Sequence, residues 1–174
     1  EGPEGMFLID QHAAHERILY EQFMAAWQGD GLGSQGLMAG TAVYLSPPQA
    51  RLLEDNLPVL ESVGFGVEPF GPNGFMVRSV PTMLAKQDPA KALTAVVDDL
   101  ERGEKPLQEQ IEARIVRRVC KTAAIKAGQT LSRAEMEALI QQLENCANPH
   151  TCPHGRPTLI HLSIEHLARE FGRT

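Results

Sequence analysis

No apolar run in this 174-residue sequence approaches the roughly 20 residues that a bilayer-spanning helix needs, and its opening residues lack the basic start of a secretory signal. Those absences point to a cytoplasmic protein with no membrane partner. Basic residues are scarce too: 16 Lys and Arg stand against 22 Asp and Glu, a formal charge of −6. That balance excludes an autonomous high-affinity nucleic-acid binder, because nonspecific binding rests on cations that neutralise phosphates. A local basic stripe stays open. Cys120, Cys146 and Cys152 are an odd number without a secretion signal, which favours thiols or metal ligands over a disulfide framework. Repeats, linkers and low-complexity tracts are missing. A hydrophobic fraction of 43% excludes disorder and leaves one domain or two small lobes.

The patterning predicts a compact mixed α/β (α+β) fold. Residues 6–9 read as a short strand, and Asp10 as the cap of a helix running to Trp27. The glycines of 29–36 read as a loop and 37–45 as a strand, after which Pro47 and Pro48 open a helix to about Val63. Residues 64–70 and 75–80, joined by Gly71-Pro72-Asn73-Gly74, carry a hairpin signal. Helices follow over 89–102 and from Leu107 to about Ala127, and Ser132 with Glu135 makes a capping box for another to about Asn145. Residues 145–157 are too rich in Pro, Asn and Gly to be regular. Residues 158–162 then read as a strand, and Ser163 caps a last helix whose apolar face is Ile164, Leu167, Ala168 and Phe171.

Three constellations carry chemistry. On the first helix His12 and Glu16 lie within about 40° of each other, and Leu19, Phe23, Ala26 and Trp27 continue their stripe. A His and a Glu heading a buried face are either a hydrogen-bonded cap of the core or a site, and a buried carboxylate needs a cation or partner. Glu21, about 140° from Glu16, points elsewhere. In Cys152-Pro153-His154-Gly155-Arg156-Pro157, a thiolate and an imidazole two residues apart can face one ion, a zinc-like pairing; Cys146 and His150 offer a local zinc-knuckle alternative. On the helix from Leu107, Ile111, Ile115, Val116, Val119 and Ala123 form an apolar side. Arg114, Arg117, Arg118 and Lys121 form a basic one, which is either a solvated face or a phosphate contact. Cys120 falls at the border.

Asp10-Gln11-His12-Ala13-Ala14-His15-Glu16 with Glu21 fits the signature D-Q-H-A-x2-E-x4-E, and residues 152–157 fit C-P-H-G-R-P. Together they make the chain resemble the C-terminal domain of the MutL DNA mismatch repair family, of the type bearing a latent nicking endonuclease. Phe171-Gly172-Arg173 resembles the F-x-R that ends related chains. The resemblance implies a dimerisation lobe of residues 1–46 and 130–174, with a small sheet and flanking helices. An inserted regulatory lobe, 47–129, would carry the hairpin and helices. It implies a metal shell of Asp10, His12, Glu16, Cys120, Cys152 and His154. Within it Asp10 and Glu16 hold a catalytic manganese ion, His12, Cys152 and His154 hold a structural or regulatory zinc, and Cys120 bridges or flanks them.

The same resemblance implies nicking of one strand of duplex DNA; the basic stripe of Arg114, Arg117, Arg118 and Lys121 offers phosphate contacts for it, as does Arg156, which is alternatively a structural residue of its loop. Substituting Arg114 and Arg118 by glutamate is then expected to lower nicking while metal content stays intact. Implied partners are a second copy, MutS and the replication sliding clamp, with ATP bound by a preceding ATPase domain. The family's A-C-R appears here as Val119-Cys120-Lys121, without the guanidinium fork. The clamp motif Q-x-L-[IV]-x-P appears as 35–40, with Gln35, Leu37 and Met38 retained in type and Gly40 where proline would be. A zinc-stabilised dimerisation scaffold without nuclease activity is the competing reading.

Overall fold

The computed structural model describes residues 4–28, 33–102, 108–126 and 128–173. Among them are two small antiparallel sheets and seven α-helices, the mixed α/β class that the patterning predicts. The chain divides into two compact units, one of residues 1–21 with 124–174 and one of residues 22–123.

In the first unit, β1 (Gly5–Ile9) pairs antiparallel with β5 (Leu159–Ser163), from Gly5 opposite Ser163 to Ile9 opposite Leu159. Asp10 then starts α1 (Gln11–Gln28): its Oδ1 accepts the N–H groups of His12 and Ala13 at 2.9 and 3.0 Å, a cap that satisfies two otherwise orphaned donors. The capping box at Ser132 and Glu135 opens α6 (Arg133–Glu144). Ala14 and Ile18 of α1 pack with Leu131, Leu139 and Leu143 as this unit's core. Ser163 caps α7 (Ile164–Glu170), which packs against β5 and β1 with Leu167 and Ala168 half-buried and Ile164 exposed.

In the second unit, β2 (Ser34–Tyr44), β3 (Gly66–Pro69) and β4 (Gly74–Pro81) form a sheet in the order β2-β4-β3. The hairpin between β3 and β4 turns where expected, with Gly71 and Asn73 both at positive φ. Because β2 pairs with β4, it belongs to the inserted unit, and the compact division falls inside α1, after Glu21, and not near residue 46. Pairing of β2 is interrupted between Gly36 and Thr41. There Leu37 is half-buried, Met38 is fully exposed, and the Gln35 amide donates to the Gly36 carbonyl.

The single helix expected over 47–63 is instead two, α2 (Pro47–Asp55) and α3 (Leu57–Ser62). Pro58 has no N–H to donate to the Glu54 carbonyl, and at the end of α2 the Asn56 side chain donates to the Leu52 carbonyl in place of its own backbone N–H. A turn of 3-10 helix (Thr82–Leu84) leads to α4 (Pro89–Glu101), capped by Asp88, and α5 (Gln108–Ala123) packs on α4. Leu107, Ala127 and the glycine loop at 29–32 lie outside the described residues.

Gly5 has φ +137°, and a Cβ there would lie 2.2 Å from the Leu162 carbonyl oxygen. Gly5→Ala is therefore expected to strip the end of the β1–β5 pairing and cost about 2 kcal/mol, measured by urea unfolding; an unchanged midpoint would contradict this packing.

Candidate metal centre

Glu16 is a carboxylate with no solvent exposure. One oxygen, Oε2, is well supplied: Arg156 Nη2 donates to it at 2.9 Å and His154 Nδ1 lies 3.2 Å away. The other, Oε1, has no hydrogen-bond partner although His12 Nε2 is only 3.1 Å distant. The His12 ring explains this. Its Nδ1 faces the Ile125 carbonyl at 2.7 Å, and since a carbonyl can only accept, the proton sits on Nδ1. In the neutral ring Nε2 then presents a lone pair to a carboxylate oxygen. A fully buried carboxylate oxygen then faces the lone pair of a ring that is 15% exposed, an arrangement that calls for a cation.

The third and fourth donors come from the other end of the chain. The turn at 152–156 closes through Cys152 N–H to the Arg156 carbonyl and Gly155 N–H to the Cys152 carbonyl, with Gly155 at φ +80°, where L side chains are strained. This turn brings Cys152, His154 and Arg156 to α1. Ligand atoms of Glu16, Cys152 and His154 all lie within 4.8 Å of one another. Thiolate, imidazole and carboxylate are zinc's ligand types, and the orphaned Glu16 oxygen beside His12 gives such an ion a place to act.

Burial pushes the Glu16 carboxyl upward, but His154, His12 and the hydrogen bonds from His154 and Arg156 outweigh it and hold the group below the ordinary glutamate range. His15, one residue before Glu16, is drawn toward neutrality by burial and then by His12. Its Nδ1 accepts the Ile125 N–H at 2.9 Å. Both histidines therefore grip one backbone unit, and the Gln11 amide donates to the Gln129 carbonyl at 2.7 Å just beyond. Sequence reading missed His15 and Ile125, since a backbone anchor leaves no side-chain pattern; the adjacent His in the first motif was its one signal.

Other expected residues fall elsewhere. Asp10 stands outside the cluster, its Oδ1 committed to the helix cap. Cys120 is buried on α5, in the second unit. The knuckle set of Cys146, His150, Cys152 and His154 is not assembled among the described residues; burial and then Glu21 push the Cys146 thiol upward, and its Sγ donates to the Gln142 carbonyl. Glu21 takes no part in the cluster. It accepts the N–H groups of Ala147 and Asn148, while Arg17 Nε donates to the Thr151 carbonyl, so the two together moor the 145–157 loop to α1.

The basic stripe requires correction. Arg114 donates to the Asp99 carbonyl and Arg118 to the Ala95 carbonyl, both arginines are 18% exposed, and each lies 3.8 Å from the Asp99 carboxylate. They clamp α5 onto α4 because a guanidinium can satisfy backbone acceptors that a helix surface leaves partly bare. Lys121 is exposed and Arg117 half-exposed. Arg114→Glu with Arg118→Glu is thus expected to destabilise the second unit by roughly 2–4 kcal/mol, read as a lowered unfolding midpoint; unaltered stability would return these arginines to the solvated face.

The family model of the MutL C-terminal dimerisation domain matches residues 1–131. A DNA mismatch repair protein MutL from Halothermothrix orenii is 37% identical over 174 residues, covering 99% of this chain and 27% of its own length. The MutL proteins of Desulforudis audaxviator and Symbiobacterium thermophilum are 39% and 37% identical, each again over 99% of this chain. The chain spans less than a third of the length of these curated relatives.

Proposed function

Since this chain belongs to the MutL C-terminal dimerisation domain family, we propose that it joins self-association to metal-dependent nicking of duplex DNA in mismatch repair. The dimerisation half has support in the first unit. Phe7, Leu8 and Ile9 of β1, Ile160 of β5, Ile164 of α7 and Phe171 are all more than a third exposed. A two-stranded sheet is marginal alone, and so much bare apolar surface marks an interaction face, here one for a second copy. An apolar groove of about 500 Å³ beside β1, lined by Phe7, Ile9, Ile140 and Leu159, extends that face.

The nuclease half rests on one observation: the buried Glu16 clusters with Cys152 and His154, and its unpartnered Oε1 lies 3.1 Å from His12 Nε2. These four residues would hold zinc. A divalent ion bound there supplies a water acidified toward neutral pH and a counter-charge for the phosphorane-like transition state. Glu16 offers the carboxylate, the Ile125 carbonyl fixes the tautomer of His12, and the 152–156 turn orients Cys152 and His154. Of the expected manganese pair, Asp10 and Glu16, the assembled set keeps only Glu16, so zinc comes first and manganese enters as the ion that supports cleavage. With net charge −6 and two of its basic residues clamped between helices, the domain holds DNA weakly by itself, and nicking is latent. Recruitment then falls to the ATP-binding portion of the full protein, to MutS and, through Gln35, Leu37 and Met38, to the sliding clamp.

Elemental analysis of the purified chain is expected to find zinc that is lost in both Glu16→Ala and Cys152→Ser, with manganese-dependent nicking of supercoiled DNA lost alongside. Zinc kept by Glu16→Ala but lost by Cys152→Ser would contradict the joint site. Zinc lost by both with no nicking by the dimeric full-length protein would leave the scaffold reading in place of the enzyme.

A further inference from the structure

Resting on the metal reading above, we propose that Arg156 is a built-in placeholder cation: it holds the Glu16 carboxylate when no ion is bound and swings outward when one is. The guanidinium donates to Glu16 Oε2 at 2.9 Å. It therefore sits on the carboxylate among the three residues whose ligand atoms cluster within 4.8 Å. Arginine carries five donors and no lone pair, so it is never a ligand itself. What it does is contest the carboxylate that a metal ion requires, since two positive centres on one buried carboxylate repel.

The two ends of this contact differ in their freedom. Glu16 is fixed with zero exposure, whereas the Arg156 side chain is 48% exposed and follows Gly155, whose Cα has open space around it. Displacement costs the arginine little, because water rehydrates it and rotamer freedom returns. A buried carboxylate without any cation is costly, so the placeholder also keeps the metal-free domain folded.

Zinc affinity of the 174-residue chain, measured against a chromophoric chelator, is expected to tighten about tenfold in Arg156→Gln, the worth of one charge-assisted hydrogen bond removed from the metal-free state. Arg156→Lys should fall between. In the unaltered chain, phenylglyoxal should modify Arg156 several-fold faster once zinc is saturating, a readout independent of any variant's folding. Affinity that is unchanged or weaker in Arg156→Gln, or modification of Arg156 that is unchanged or slowed by zinc, would overturn the placeholder role while the metal site survives. No zinc binding by the unaltered chain, or undiminished binding by Cys152→Ser, would overturn the metal reading and this inference with it.

Discussion

A carboxylate cannot be left charged and alone inside a protein, and Glu16 is the place where this chain meets that constraint. Every group around its carboxylate comes from one of two segments at opposite ends of the sequence: His12 from its own helix, and His154 and Arg156 from the turn that follows Cys152. Joining those ends is what the first unit's architecture accomplishes. The β1–β5 pairing brings the chain's beginning beside its last strand, the Asp10 cap sets the start of α1, and Arg17 with Glu21 ties the 145–157 loop along the same helix.

The helix thus carries two kinds of residue with different tasks. Glu16 belongs to the cluster with His12 beside its Oε1, while Arg17 and Glu21 hold the loop that supplies the other members. His12 and His15 grip the backbone of Ile125 from either side, which determines which ring nitrogen of His12 turns to Glu16. A single backbone carbonyl therefore decides whether the centre presents a proton or a lone pair at Oε1. The inserted unit has its own sheet and its own core, so its α4–α5 clamp is a matter of stability in that unit.

Much of this was legible beforehand, for physical reasons. Helical periodicity alone placed His12 and Glu16 together and sent Glu21 elsewhere, because the angle per residue is nearly constant. Ser132 with Glu135, the Gly71–Gly74 turn and the irregular 145–157 loop were equally readable from local chemistry. What local chemistry does not encode is where a long side chain ends. Arg114 and Arg118 carry the same charge whether they face water or a carbonyl of α4, and Arg156 reaches a buried acid that lies 140 residues away. The break at Asn56 was in view as Pro58, yet proline is also welcome in a first helical turn, and only the competing Asn56 side chain resolves that ambiguity. The apolar face of α7 is half-covered at Leu167 and Ala168 and open at Ile164 and Phe171, because periodicity shows that a face is apolar without showing what covers it.

The central claim is that the first helix and the last loop make one centre, with His12 as a member through Nε2. Long-range proton–nitrogen correlation spectra of the imidazoles during a zinc titration report each ring nitrogen separately. The account predicts that His12 and His154 change together, His12 retaining its Nδ1 proton against Ile125, while His150 stays as it was. A response of His150 with His154, and none from His12, would contradict it.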